Sequence, residues 1–193
     1  LAETLLPQQV AWVLNTLHPI CLIETIDGRN DDTGNILGLY QEDGLDEGIY
    51  ITSEDVFIKI AREYHPFIST GDLNEMFACL KDCAPRKQKC KAKNLIAVNN
   101  GIFDFDTKQL RPFTPDLVFL SKSRVSYKVN VQNPVIHNND DGTDWDVESW
   151  MADLSDDPEV VHLLWQILGA IIRPNVAWDK SAWLYSESGN NGK

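Results

Sequence analysis

The residues at the C-terminal end, Ser186-Glu187-Ser188-Gly189-Asn190-Asn191-Gly192-Lys193, have the types and order of a phosphate-binding loop that stops at its lysine. Such a loop works because glycines let backbone N–H groups converge on phosphate oxygens, while a lysine reaches the β and γ oxygens and a following Ser or Thr holds Mg2+. On this reading Gly189, Asn190, Asn191, Gly192 and Lys193 begin a nucleotide site. Glu187 stands where the usual spacing puts a glycine, and the position for the metal-holding hydroxyl lies past Lys193. The apolar run Ala182-Trp183-Leu184-Tyr185 is the expected buried strand ahead of the loop. The competing reading is a polar, glycine-rich tail.

The second chemistry is electrostatic. The chain of 193 residues has a formal net charge of −12, which argues against a simple nucleic-acid-binding protein. Yet residues 81–128 hold eleven basic side chains against four acids, a net of +7, and leave −19 on the remainder. An electropositive region on an acidic body repels nucleic acid everywhere except at one place. Arg86, Lys87, Lys89, Lys91 and Lys93 are the candidate DNA contacts, weak and indifferent to sequence, with solvated lysines on a loop as the alternative.

Other chemistries find no support. No hydrolase triad, metal cluster or acid–base pair assembles, and His18, His65, His137 and His162 are scattered, two of them directly before proline. Cys79, Cys83 and Cys90 cluster without a CxxC pair or a nearby fourth zinc ligand. With Cys21 in an apolar run, the cysteines suggest a reduced, cytoplasmic protein. In the stretch 138–148, Gly142 at the sixth position of a calcium loop would put His137 at the first ligand, so that spacing fails. No apolar run approaches the roughly 18 residues of a membrane span. Leu1 in place of a methionine and the truncated loop make both ends look like cuts in a longer protein.

The elements that must position these residues follow from periodicity. Leu6, Val10, Val13, Leu14 and Leu17 predict an opening amphipathic helix that His18-Pro19 ends, and residues 19–26 read as a strand. Residues 36–40 and 48–51 read as further short strands. Ser53 and then Ser69 or Thr70 cap two helices whose inward residues include Phe57, Tyr64, Leu73, Met76 and Leu80. As a helix-turn-helix this pair is disfavoured by Asp72 and Glu75 at the start of the second helix. Lys81 to Lys93 reads as an irregular connector, and residues 95–113 as a three-stranded meander with Asn-Gly supplying a positive φ at the first turn. After a polar stretch, residues 147–154 and 158–172 predict two more helices, with Val160, Leu164, Ile167, Leu168 and Ile171 as the buried face of the last. The fold class is α+β, mostly helical with short antiparallel hairpins and a meander, ending at the first strand and P-loop of an AAA+ domain. Three parts are expected: 1–137 with the basic region 81–128, a helical collar or linker over 138–180, and the start of a motor domain over 181–193.

The order of these elements resembles the phage/plasmid and poxvirus-type primase–helicases. The resemblance rests on Gly48-Ile49-Tyr50 with its helix pair, the segment Leu95 to Phe105 followed by Pro112, Trp145 through the helix carrying Leu168-Gly169, and Gly189-Asn190-Asn191-Gly192-Lys193. It spans roughly residues 35–193, and residues 1–34 match nothing in it. It implies a domain between a primase and a superfamily-three AAA+ helicase motor, with ATP and Mg2+ used by the full-length protein and neither expected on this segment. It further implies a hexameric ring around DNA, in which this domain is a collar that supports assembly and guides the strand. The alternatives are a stand-alone DNA-binding or origin-recognition module and a purely structural oligomerisation domain.

One outcome follows from the truncated loop. The chain as it stands should bind ATP weakly and hydrolyse none, because the metal-holding hydroxyl and every downstream catalytic part are missing from it. Phosphate release measured on the purified chain checks this, and robust turnover that Lys193→Ala removes would contradict it.

Overall fold

Residues 5–24, 34–173 and 175–183 are described by a computed structural model of the chain. Two compact units share the chain, Leu1–Tyr127 and Lys128–Lys193. In the first, α1 (Pro7–Leu17) starts with proline at its first position, and the Gln9 side chain accepts the Leu6 N–H at 2.8 Å. Pro19 keeps His18 extended (φ −124°, ψ 143°), so the helix stops there and the chain runs directly into β1 (Ile20–Glu24). Next come β2 (Ile36–Tyr40) and β3 (Tyr50–Ile51), then α2 (Glu54–Tyr64) and α3 (Thr70–Cys83). Ser69 caps α3 by accepting the Asp72 N–H at 3.2 Å, whereas Ser53 stands at the start of α2 without a side-chain capping bond.

The expected irregular connector at 81–93 is only partly irregular. It contains β4 (Arg86–Gln88), which pairs in parallel with β1 in the register Leu22↔Arg86 and Ile23↔Lys87. The sheet order is β3-β2-β1-β4, so β1 is a central strand and needs apolar residues on both faces. Alternation supplies them. Ile20, Leu22, Leu37 and Leu39 face the helices and pack with Val10, Leu14, Phe57, Met76 and Leu80. Cys21, Ile23, Tyr40 and Tyr50 face the other way and enclose Val118. That second interior is tight: a Cβ on Gly38 would lie 2.5 Å from Ile23 Cδ1 and 3.1 Å from the Tyr50 ring.

Val118 arrives there on a segment that closes the sheet. The Cys90 N–H donates to the Val118 carbonyl at 2.9 Å, and the Tyr50 N–H donates to the Phe119 carbonyl at 2.8 Å. Residues just after β4 and at the start of β3, the two edges, thus bond to the same short stretch.

The meander forms as β5 (Leu95–Val98), β6 (Gly101–Asp104) and β7 (Gln109–Arg111), all antiparallel. Its first turn differs from the Asn-Gly expectation. Val98 pairs with Gly101, so Asn99 and Asn100 make the turn and Gly101 (φ +149°) is the first strand residue. Glycine is required there because a Cβ would overlap the Arg111 carbonyl.

Helix accounts for 34% of the structure, so the chain is α+β but not mostly helical, and beside the expected short antiparallel pairs it has the parallel pair β1–β4. The second unit holds a hairpin, β8 (Ile136–His137) with β9 (Asp144–Trp145), across what reads in the sequence as a polar stretch ahead of the helices. Asn138 and Asp141 accept backbone N–H groups two residues on, at 3.0 and 2.9 Å, and shape its loop. The helices α4 (Val147–Ala152) and α5 (Pro158–Ile171) follow, each capped by an aspartate, Asp146 and Asp157. The face predicted to be buried on α5 is not: no residue of α5 is buried, and Val160, Leu168 and Ile171 are 42%, 46% and 72% exposed. Ala182 and Trp183 form no strand, Trp183 is 90% exposed, and the rest of that expected strand lies outside the described residues.

Asp104, at the end of β6, gives the first unit a titratable anchor. Its carboxylate is 1% exposed and accepts from Asn94 Nδ2 at 3.0 Å, from the Asp106 N–H at 3.0 Å and from Arg111. Burial by itself raises its pKa, but these donors together outweigh burial and hold it below the usual carboxylate range. A depressed folded value gives stability that is complete above the unfolded pKa of about 3.9 and is lost as pH falls through the folded one. Asp104→Asn should therefore be less stable than wild type at pH 7, with a shallower loss of stability below about pH 4. Urea melts between pH 2 and 7 measure both, and parallel curves for the two proteins would contradict the assignment.

Candidate nucleic-acid interface

The basic run is positioned by β4, and strand alternation divides its side chains. At the entry to the strand, the Leu22 N–H donates to the Pro85 carbonyl at 2.9 Å and fixes the register with β1. Arg86 and Gln88 are exposed, whereas Lys87 is half-buried opposite Ile23. Its ammonium donates to Tyr50 Oη at 3.2 Å and to the Pro115 carbonyl at 2.8 Å, and Tyr50 Oη itself donates to Pro115 at 2.6 Å. Side chains from both sheet edges therefore converge on one carbonyl just ahead of the closing segment. Lys87 is a brace of the fold.

The same pocket holds a thiol and a phenol. Burial pushes the Cys21 thiol up to about 11, against the opposing charge of Lys87, and burial followed by the neighbouring Cys21 raises the Tyr50 phenol. Both stay neutral at physiological pH. Neither is set up as a nucleophile.

Past β4, Lys89 is exposed beside its backbone bridge to Val118, Cys90 is buried, and Lys91 and Lys93 are exposed. The structure thus brings Arg86, Lys89, Lys91 and Lys93 to the surface of one strand and its extension, and separates Lys87 from them.

Other cations in the region have structural duties that composition does not reveal. Arg111 binds Asp104, Lys122 donates to the Glu47 carbonyl at 2.7 Å beside the Phe113 ring, and Arg124 reaches Asp46 Oδ1 at 2.7 Å and the Leu45 carbonyl. The net of +7 therefore overstates the charge that a ligand would meet. Two further features escaped the sequence reading. Leu117-Val118-Phe119-Leu120 closes the sheet, and its signal was a run of four apolar residues after Thr-Pro-Asp. Asn100 binds Tyr127 through both halves of its amide, at 2.9 and 2.8 Å, and its signal was a turn richer in asparagine than a turn requires.

Gly189, Asn190, Asn191, Gly192 and Lys193 lie outside the described residues, so no P-loop geometry is shown. Among the described residues no group of His, Cys, Asp and Glu could hold a metal ion, and no helix is long and apolar enough to cross a membrane.

Against known families, the model described as D5 N terminal like matches residues 30–156, which is 127 of the 193 residues. No curated protein matches the chain. The matched span runs from β2 through α4 and contains the whole basic segment, while α1 and β1 precede it.

The division of labour along β4 can be measured. Lys87→Ala removes two hydrogen bonds from a charged donor, each worth about 1.5–3 kcal/mol, and should destabilise the chain by at least about 2 kcal/mol. Lys89→Ala should stay within about 0.5 kcal/mol of wild type, as a surface substitution. Urea denaturation of the two variants checks the contrast, and equal stabilities would refute the brace.

Proposed function

The chain belongs to the D5 N terminal like family, the N-terminal domain of phage and poxvirus D5-type primase–helicases, and on that premise we propose that it is the DNA-guiding collar of a replicative helicase. The observation that supports this reading is the exposed cationic row Arg86, Lys89, Lys91 and Lys93 on an otherwise acidic chain. Such a row attracts phosphates by displacing their counterions and carries no base readout. In this account the row holds DNA near a motor that follows Lys193, and Gly189 to Lys193 open the motor's ATP site, with Mg2+ held by a hydroxyl further on. Lys193→Ala in the full-length protein would then abolish unwinding and leave assembly intact.

A specific observation also favours a role in assembly. α5 carries Val160, Leu163, Trp165 and Leu168 with no residue buried, although its composition is that of a core helix. A helix of this kind is stable when its apolar face is covered. In the proposed ring a neighbouring subunit covers it, and the ring would be a hexamer.

Salt titration tests the DNA-binding half. With about four phosphates neutralised, the log–log slope of affinity for duplex against salt should be roughly −3.6, from about −0.9 per contact. Lys89→Glu with Lys91→Glu should reduce its magnitude by about 1.8. An unchanged slope in that double variant would reduce the row to solvated side chains. For assembly, Leu168→Asp in the full-length protein should lower the solution mass, and an intact oligomer would remove α5 from the interface.

A further inference from the structure

Two helices of the chain present apolar faces with almost no charge, one in each unit. α1 contains no Asp, Glu, Lys or Arg, and α5 contains Glu159 alone. On α1, Val10, Ala11 and Leu14 fill the core, while Trp12 (67% exposed) and Leu17 (62% exposed) are turned away from it. The helical period puts Val13, Gln9 and Thr16 between them, so that face is uncharged throughout. At 1.5 Å per residue α1 is about 16 Å long and α5 about 21 Å, and either can cover the other over three turns.

The outer sides of the other helices of the first unit offer no such surface. Lys59, Arg62 and Glu63 are exposed on α2, and Glu75, Lys81 and Asp82 on α3. In a chain of net charge −12, copies repel one another wherever acids meet, so association favours faces where charge is absent. Symmetry then selects between pairings. A patch that meets itself on a neighbour makes a two-fold dimer and stops, whereas a ring needs two different patches on each copy, joined head to tail. α1 and α5 are two such patches, and both lie outside the matched span of residues 30–156.

We propose that α5 of one copy packs on the outer face of α1 of the next, its side bearing Val160, Leu163, Leu168 and Ile171 set against Trp12 and Leu17. The inference rests on the assembly reading above and adds what α5 alone cannot give, the receiving surface and a head-to-tail order. Trp12 is the anchor, since a large aromatic side chain at the centre of a contact carries much of its energy.

Mixing two variants of the full-length protein tests it. Trp12→Asp spoils the receiving face and leaves α5, while Leu168→Asp spoils α5 and leaves α1; both residues are exposed, so each variant should keep the wild-type circular dichroism. In sedimentation velocity, wild type should grow with concentration beyond a dimer. Each variant alone should associate at least about 25-fold more weakly, the effect of one hot-spot side chain. An equimolar mixture of the two should recover association and stop at a pair, because one intact α1 and one intact α5 remain between them. A mixture that associates no better than either variant would overturn the proposal. Should Trp12→Asp assemble like wild type while Leu168→Asp does not, α5 keeps its place in the assembly and α1 loses it. Should Leu168→Asp assemble like wild type, or wild type stay monomeric, the assembly reading itself falls and this inference with it. If either variant does not fold, hydrogen exchange of wild type on dilution decides: protection of α1 and α5 that fades together supports the contact, and a change in α5 alone, or in neither helix, overturns it.

Discussion

The first unit depends on how its sheet is closed. An open sheet of order β3-β2-β1-β4 leaves two rows of unpaired backbone groups, and an uncovered edge is a liability. Here one segment serves both ends: Val118 accepts from Cys90, Phe119 accepts from Tyr50, and Pro115 collects the Tyr50 hydroxyl and the Lys87 ammonium. Closure creates a second interior around Val118, which explains why β1 is apolar on both faces and why β2 has glycine at position 38. It also fixes β4 in place. Arg86 is therefore carried on a short strand held on one side by β1, and Lys89, Lys91 and Lys93 follow it, the backbone bridging to Val118 at Lys89.

That arrangement separates two uses of positive charge that look identical in composition. Lys87 lies on β4 and Lys89 just past its end, two residues apart, yet one is a brace and the other faces solvent. Arg111, Lys122 and Arg124 join Lys87 as structural cations, because each meets a carboxylate or a backbone carbonyl of a loop that it tethers. A buried carboxylate such as Asp104 requires such company, since an unpaired charge inside a protein is costly. The exposed positive charge is consequently narrower in extent than the sequence total.

Much of the architecture was legible in the chain. The helices α1, α2 and α3, the strands β1, β2 and the meander follow from local periodicity and from Pro19, Ser69 and the turn after Val98, because each is specified by residues within a few positions of itself. The parallel β1–β4 pair was not, since Arg-Lys-Gln has no strand-like alternation of its own and its partner lies some sixty residues earlier, around a helical crossover. The closing segment was missed for the same reason. α5 shows the opposite failure: its periodicity is right for a helix, but periodicity cannot say whether the apolar face is covered within the chain or by something outside it. Of the candidate site, the cationic residues were found by counting, and only the fold shows that Lys87 also ties β4 to Tyr50 and Pro115. The family match begins at residue 30, so the strand at the centre of the sheet lies outside it, and here the structure extends what resemblance could reach.

The central claim is that closure by residues 115–120 is integral to the fold and not a loop resting against it. Native-state hydrogen exchange of two amides tests it most directly: those of Tyr50 and Cys90, which donate to Phe119 and Val118. The account predicts that both exchange only through global unfolding, as slowly as the amides of Leu22 and Tyr40 in the middle of the sheet, and that they change in step with them as urea is added. Fast exchange at Tyr50 and Cys90 while Leu22 and Tyr40 remain protected would contradict it.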